Sequence, residues 1–488
     1  MSASHLPPDW PIALDQSVRL WLGGRYASGG APWAVMELGA AASGLARRLE
    51  AVGAGGLVPD AAEATAADEF VHRGMAHPVP QPAAAGAGLA DVTVIVPCHG
   101  EAAPLARCLA ALRGPDVVVV DDGSPDPQEI ARIAADHGAR LVRHDANLGP
   151  GAARNTGLAH TATTYVAFVD ADCVVTPGWI EALLPHLADP RVAAVGPRIR
   201  PVPARRPTAV AHHDAVRSAL DMGPVPRIVR YGSPLGFLPT AALLVRRSAL
   251  PVGGFAPDLR VGEDVDLLWR IIAAGWHVRY EPRVIVGHEV RADFGAWARR
   301  RFAYGTSAGP LDRRHPGRPA PAELSGWNLM ALACWAAGRP RLAAAVFATS
   351  LGLLAREFRA TRRPGWLGAY AGLKGLASDA AMAGAGLRRE WWPVGWAAVA
   401  FARRCRLARA LAVCALAPAA WEVLRSSAPH GRLRYAGLRI VEEVAYGSGA
   451  LVSAAVSRRW RAVLPRLRPW GLRLQARRKR PAPSPPTT

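Results

Sequence analysis

Cysteine is sparse in this 488-residue chain. Its six residues, Cys98, Cys108, Cys173, Cys334, Cys405 and Cys414, form no Cys-x-x-Cys pair. That spacing excludes a zinc ribbon and a secreted disulfide framework and predicts a reducing compartment. The opening stretch, Met1-Ser-Ala-Ser-His-Leu-Pro-Pro-Asp-Trp10, lacks a basic segment followed by an apolar one. No secretory signal is expected, and the chain should face the cytoplasm. The late apolar stretches, residues 330–337, 342–355, 394–402 and 411–420, are all short. Each falls below the roughly 20 residues that cross a bilayer, which predicts buried or interfacial helices. No Gly-Lys-Ser/Thr follows a glycine-rich loop, which excludes a Walker phosphate site.

What is abundant is positive charge, 59 Lys and Arg against 38 Asp and Glu, a formal +21. Such an excess attracts polyphosphate, but its location argues against nucleic acid. It is concentrated late, in Arg403-Arg-Cys-Arg406, Arg458-Arg-Trp-Arg461 and Arg477-Arg-Lys-Arg480, beside Trp391, Trp392, Trp396 and Trp421. Arginine interleaved with tryptophan suits peripheral contact with the anionic inner face of a cell membrane. A solvated basic face is the alternative.

Apolar residues make up 50% of the chain, ample for two or three cores. Residues 1–80 alternate in short segments (17–22 and 32–38) around Gly23-Gly24 and Gly29-Gly30, then take helical spacing over 40–51, predicting a small hairpin-plus-helices module. The stretch from His77 reads as the start of a linker that runs to about residue 90. Over 91–315 continuous apolar runs (92–96, 117–120, 140–142, 165–169, 192–195) alternate with helical segments (105–112, 128–137, 152–159, 179–187). Runs apolar on both faces belong in a covered, mostly parallel sheet, so this region is expected to be a doubly wound α/β domain. Residues 316–475 read as helical, and 476–488, rich in proline, as disordered.

Polar residues gather where the predicted strands end. Pro97 leads to His99-Gly-Glu101, Val120 to Asp121-Asp122-Gly-Ser124, and Val169 to Asp170-Ala-Asp172. In a parallel sheet the three sets converge on one edge, where ligands bind. Acids at i and i+2 can grip a hard cation together, or split between a cation and a sugar hydroxyl, leaving positions for phosphate. Asp121 or Asp122 is placed to meet a base or ribose. Each set alone is also what a helix cap looks like. The loop Asn147-Leu-Gly-Pro-Gly-Ala-Ala-Arg154 could offer N–H groups to phosphate, with Arg154 adding charge, or could simply allow close helix packing. Glu263 and Asp264 open a helix with apolar spacing at Val265, Leu268, Trp269 and Ile272. They either complement the helix dipole or supply a general base. His288 is a candidate third metal ligand, and His212-His213-Asp214 a weaker one.

In order along residues 91–289, Val94-Ile-Val-Pro97 with Glu101, Val119-Val-Asp-Asp-Gly-Ser124, Asn147-Leu-Gly with Ala153-Arg-Asn155, Phe168-Val-Asp-Ala-Asp172 and Gly262-Glu-Asp-Val-Asp266 resemble the family 2 glycosyltransferases of the GT-A fold. The resemblance implies a UDP-sugar donor held near Pro97 and Glu101. It further implies uracil and ribose contacts from Asp122 (or Asp121) and Asp170, Mg²⁺ or Mn²⁺ on Asp172, and Asp264, beside Glu263, as the base of an inverting displacement. More narrowly, Ser17-Val-Arg-Leu-Trp21, Gly29-Gly-Ala-Pro-Trp33, Tyr304-Gly-Thr-Ser-Ala308 and Ala445-Tyr-Gly447 resemble the mycofactocin-system glycosyltransferases. That implies a β-linked glucose chain built from UDP-glucose on a small peptide-derived acceptor, and a first module similar to the PqqD-type, winged-helix-like peptide-recognition fold. The Gln-x-x-Arg-Trp motif of processive synthases is missing, with Arg299-Arg-Arg-Phe302 nearby instead. Two rivals remain: a lipid or cell-wall acceptor, and a non-catalytic sugar-nucleotide or peptide-binding protein.

Overall fold

The computed structural model describes residues 6–80, 87–100, 102–202, 208–233, 235–290, 292–359, 361, 363–426 and 429–468. Residues 81–86 of the expected linker, Glu101, the cluster at 477–480 and the proline-rich tail lie outside the described residues. The chain divides into two compact units, one with Met1–Ala204 and Asp214–Val290, the other with Arg205–His213 and Arg291–Arg480.

The first unit begins with β1 (Ile12–Leu14), β2 (Arg19–Trp21), β3 (Tyr26–Gly29), β4 (Ala34–Glu37), α1 (Ala40–Val52), α2 (Ala64–His72) and β5 (Ala76–Pro78). Strands β2, β3 and β4 form an antiparallel sheet, while β1 pairs with β5. These elements enclose their own core around Trp10, Ile12, Leu45, Leu49, Phe70 and Met75. Strand β5 lies where the sequence reads as linker. A three-residue strand carries no visible alternation, and its partner β1 lies far away in sequence. Pro78 is tolerated because it ends the strand.

There follow β6 (Val92–Cys98), α3 (Ala102–Ala111), β7 (Asp116–Asp122), α4 (Pro127–Asp136), β8 (Arg140–His144), α5 (Pro150–Ala159), β9 (Tyr165–Val169), β10 (Cys173–Val175), α6 (Trp179–Leu183), β11 (Val192–Val202), α7 (Ala209–Val216), β12 (Arg227–Val229), β13 (Ala242–Arg246), α8 (Glu263–Ala273) and β14 (His277–Glu289). They build a nine-stranded sheet of order β10-β14-β11-β13-β9-β6-β7-β8, with β12 added on β14. Strands β8, β7, β6 and β9 are parallel, as are β11 and β14, while β13, β10 and β12 run against their neighbours. The architecture is the GT-A-like, mostly parallel α/β sheet that the sequence predicts.

Alternation along buried strands explains its two layers. Val94 and Val96 of β6, with Val119 of β7, join Leu105, Ile130 and Trp179 on one face. Ile95, Val118, Val120 and Phe168 meet Ala153, Phe255 and Leu267 on the other. Helix α5 approaches β6 so closely that a Cβ on Gly157 would stand 2.4 Å from Ile95 Cγ2.

The second unit contains α9 (Phe294–Thr306), α10 (Ala308–Arg314), β15 (Glu323–Ser325), α11 (Gly326–Ala336), α12 (Pro340–Glu357), α13 (Pro364–Arg388), α14 (Trp392–Phe401), α15 (Arg406–Arg425), α16 (Arg432–Ser457) and β16 (Arg466–Arg468), which pairs with β15. The expectation that every late apolar helix falls short of a bilayer span is corrected here. Helix α15 has 20 residues and a mean hydropathy of 1.6 in its most apolar window, enough to cross by length and composition. Arginines bound its apolar run in the sequence, but backbone hydrogen bonding continues through them. Helix α13 lies in the region read as helical but was not singled out there, because its glycines weaken the helical signal. They serve packing instead: a Cβ on Gly384 would lie 2.1 Å from the Cys414 carbonyl oxygen.

Candidate active site

Strands β6, β7 and β9 deliver their carboxyl ends to one edge, beside the point where strand order reverses. Half-buried Pro97 sits there opposite Val120. Asp121 is fully buried. It accepts the Ser124 N–H at 2.9 Å and pairs with Arg143, so it holds the turn together. Asp122 is nearly buried. It accepts the N–H groups of Leu148 (2.9 Å) and Gly149 (2.8 Å) and lies 2.7 Å from His144 Nδ1. These two loop N–H groups, which the sequence left as candidates for phosphate, are directed at a carboxylate.

Arg154, a candidate for phosphate, has carboxylate partners. Projecting from α5, it is buried over the Phe255 ring and donates to Asp170 Oδ1 at 2.6 Å and to Glu263 Oε1 at 2.9 Å. Burial opposes its charge, but the two carboxylates outweigh that and hold the guanidinium above its usual pKa. Arg154 thus ties the acid after β9 to the first residue of α8.

Asp172 meets His288. The imidazole Nε2 lies 3.3 Å from Asp172 Oδ2, brought there by the antiparallel register of β10 with β14, in which Cys173 faces His288. The Glu289 N–H donates to the Asp172 carbonyl at 3.2 Å, and Arg107 pairs with Glu289, fixing the end of β14. Burial works against a charged imidazole, but hydrogen bonding and attraction to Asp172 raise the His288 pKa overall. No group of three or more His, Cys, Asp or Glu suited to a metal occurs among the described residues. One carboxylate and one imidazole still fit a divalent ion that takes its other oxygens from phosphate and water.

Helix α8 begins after Gly262, whose φ of 84° suits glycine. Its first turn presents buried Glu263 and half-buried Asp264. Burial first, and then the Glu263 charge, push the Asp264 carboxyl up to about 7, against the Val265 N–H and the Arg154 charge. A carboxylate poised near neutrality is the form a general base needs.

Several supporting contacts were absent from the sequence reading. His144 bridges Asp122 to Thr156 Oγ1, 2.8 Å away. The Asn155 side chain both donates to and accepts from the Phe255 backbone at 2.8 Å. Arg260 binds Asn147 Oδ1 at 2.7 Å. Of these, Asn147 and Asn155 stand in the motifs quoted from the sequence, and His144 ends the strand beside Asp122.

The sequence profile described as glycosyl transferase family 2 matches residues 93–251. The pre-mycofactocin glycosyltransferase of Mycobacterium tuberculosis, in two strains, is 37% identical over 480 residues, which cover 96% of this chain and 100% of that protein. Glycosyltransferase AglE of Haloferax volcanii is 29% identical over 225 residues, 44% of this chain and 71% of its own. Among solved structures, the mannosyltransferase PcManGT from Pyrobaculum calidifontis, in complex with GDP-Man and Mn²⁺, overlaps 61% of this chain and 88% of its own at 23% identity and a TM-score of 0.35. That overlap is too slight to bear on chemistry.

Proposed function

Because this chain belongs to the family 2 glycosyltransferases, we propose that it moves a hexose, glucose from UDP-glucose, onto a hydroxyl of a premycofactocin-type peptide-derived acceptor, with inversion. Repetition would build a β-linked oligosaccharide. The acceptor is supported by likeness to the pre-mycofactocin glycosyltransferase along that protein's whole length. The chemistry is supported by one observation above all: Arg154 holds Asp170 and Glu263 together, so the acids after β9 and at the start of α8 share one site.

In this reading Asp170 binds the donor's ribose, and Asp122, less buried than Asp121, faces the base beside Pro97. Asp172 and His288 would hold Mg²⁺ or Mn²⁺, which when bound neutralises charge on the leaving diphosphate. Asp264 accepts the proton of the acceptor hydroxyl as its oxygen bonds to the anomeric carbon. The bond from that carbon to the diphosphate oxygen breaks, and its electron pair leaves with UDP. One displacement inverts the centre, turning an α-linked donor into a β-glycoside. Arg154 orients the acids on both sides of the reacting bond. The buried thiols Cys98, Cys108 and Cys173 suit a reducing cytoplasm, where nucleotide sugars are the donors at hand.

The exposed tryptophans and arginines of the second unit favour a second reading, a lipid or cell-wall acceptor. The test is to incubate purified protein, UDP-glucose and Mn²⁺ with the peptide-derived acceptor or with lipid extract. Mass spectrometry of small-molecule glycosides from cells with and without the gene completes it. A hexose added only to lipid would overturn the acceptor, and no transfer to either would overturn the reading.

A further inference from the structure

The second unit leaves a large apolar surface uncovered. Trp335, Trp366, Trp396, Trp421 and Trp460, all the strongly exposed tryptophans among the described residues, belong to it. Exposure is concentrated on α14 and α15. Val394 and Phe401 of α14 are more than half exposed, and on α15 Val413 (58%), Leu416 (43%) and Leu424 (60%) recur at helical spacing along one face, with Trp421 (58%) beside them. A soluble monomer rarely carries so continuous an apolar face without a partner for it.

The charges around this face select the partner. Arg403 and Arg404 in the α14–α15 turn, and Arg406 and Arg409 in the first turns of α15, are all exposed. At the other end Arg425 lies over the Trp421 ring, 4.0 Å from its centre. Of the acids between 326 and 425, Asp379 and Glu390 are buried and Glu422 pairs with Arg439, so only Glu357 is exposed. A second copy would bring the same cations against one another. An anionic bilayer instead offers phosphates to the arginines, an interfacial layer to tryptophan and hydrocarbon to the aliphatic side chains.

We propose that the second unit docks on an anionic phospholipid bilayer through the exposed face of α14 and α15, which lies in the headgroup plane. Length alone would let α15 cross, since 20 residues rise about 30 Å. Its neighbours forbid that. Its partner α14 has ten residues, about 15 Å. Near its C-terminus Glu422 is fastened to Arg439 and to the Tyr435 hydroxyl of α16. That helix in turn carries the buried Arg439–Glu443 and Arg388–Glu443 pairs, which would be costly to place in hydrocarbon. This inference is independent of the acceptor's identity.

Flotation of the full chain with vesicles tests it. Phosphatidylcholine vesicles containing about one third phosphatidylglycerol should carry the protein upward, and pure phosphatidylcholine should not, with high salt releasing part of it. The Arg403→Gln, Arg404→Gln, Arg406→Gln, Arg409→Gln variant should lose at least about tenfold in partitioning, given about 1 kcal/mol per surface cation. Val413→Ser with Leu416→Ser should lose binding too, while keeping helical circular dichroism and a monodisperse elution profile. Equal flotation on neutral vesicles, or no loss in either variant, overturns the proposal. Resistance to alkaline carbonate would mean that α15 spans. A dimer formed without lipid and abolished by Val413→Ser with Leu416→Ser would assign the face to a second copy.

Discussion

His288 Nε2 stands 3.3 Å from the Asp172 carboxylate. The two meet because β14 returns antiparallel beside the short strand that follows Asp172. With no group of three or more His, Cys, Asp or Glu suited to a metal among the described residues, a divalent ion on this pair would depend on donor phosphates, and metal and donor should bind together. Asp172→Ala is expected to abolish metal-dependent transfer, and His288→Ala to raise the Mn²⁺ concentration needed for half-maximal rate. Calorimetric titration of Mn²⁺ with and without UDP measures the coupling. Tight Mn²⁺ binding without nucleotide would contradict it.

Asp264→Asn should leave UDP binding nearly unchanged but lower turnover by about 10²–10⁴, the usual loss for a missing general base. Steady-state kinetics beside equilibrium UDP binding separates the two effects. Turnover close to that of the unmodified enzyme would remove Asp264 from the base role.

The raised Asp264 pKa carries a sign for rate and for stability. A base works unprotonated, so turnover should rise with pH through about 7 and level off above. Glu263→Gln removes a like charge and should move that limb to lower pH. For stability, a carboxyl raised from 3.8 to about 7 stabilises the fold below the lower value and loses that contribution as pH rises through the higher. Asp264→Asn should therefore be more stable than the unmodified chain at pH 8 and nearly equal to it near pH 4. Urea melts at the two pH values decide this.

Arg154→Ala leaves Asp170 and Glu263 without their shared buried cation. A loss of about 3–5 kcal/mol is expected, along with an acid limb of turnover moved to higher pH. Arg154→Lys should restore little of either, because one ammonium cannot reach two carboxylates as a guanidinium fork does. Full rescue by lysine would show that charge alone suffices.

Gly157→Ala places a methyl against Ile95 and should cost about 1–3 kcal/mol by overpacking. Ile95→Ala, which removes the γ carbons the methyl meets, should cost less in that background than in the unmodified chain. Additive losses, measured in urea, would mean that α5 moves aside instead.

The sequence by itself determined the layered sheet and the edge on which its acids gather. Mostly apolar runs from Val92, Val117 and Tyr165 have nowhere to go but a sheet covered on both faces, and strand polarity then carries Pro97, Asp122 and Asp170 to one edge. Local chemistry of this kind is written in adjacent residues. What only the tertiary structure decided is who meets whom across long separations. Arg154 proved to be a clamp on Asp170 and Glu263, Asp122 took the loop N–H groups that were candidates for phosphate, and His144 and His288 acquired their acids through strand register. These contacts depend on pairing distance and burial. No spacing along the chain encodes them, which is also why β5 and the full length of α15 were not legible in sequence.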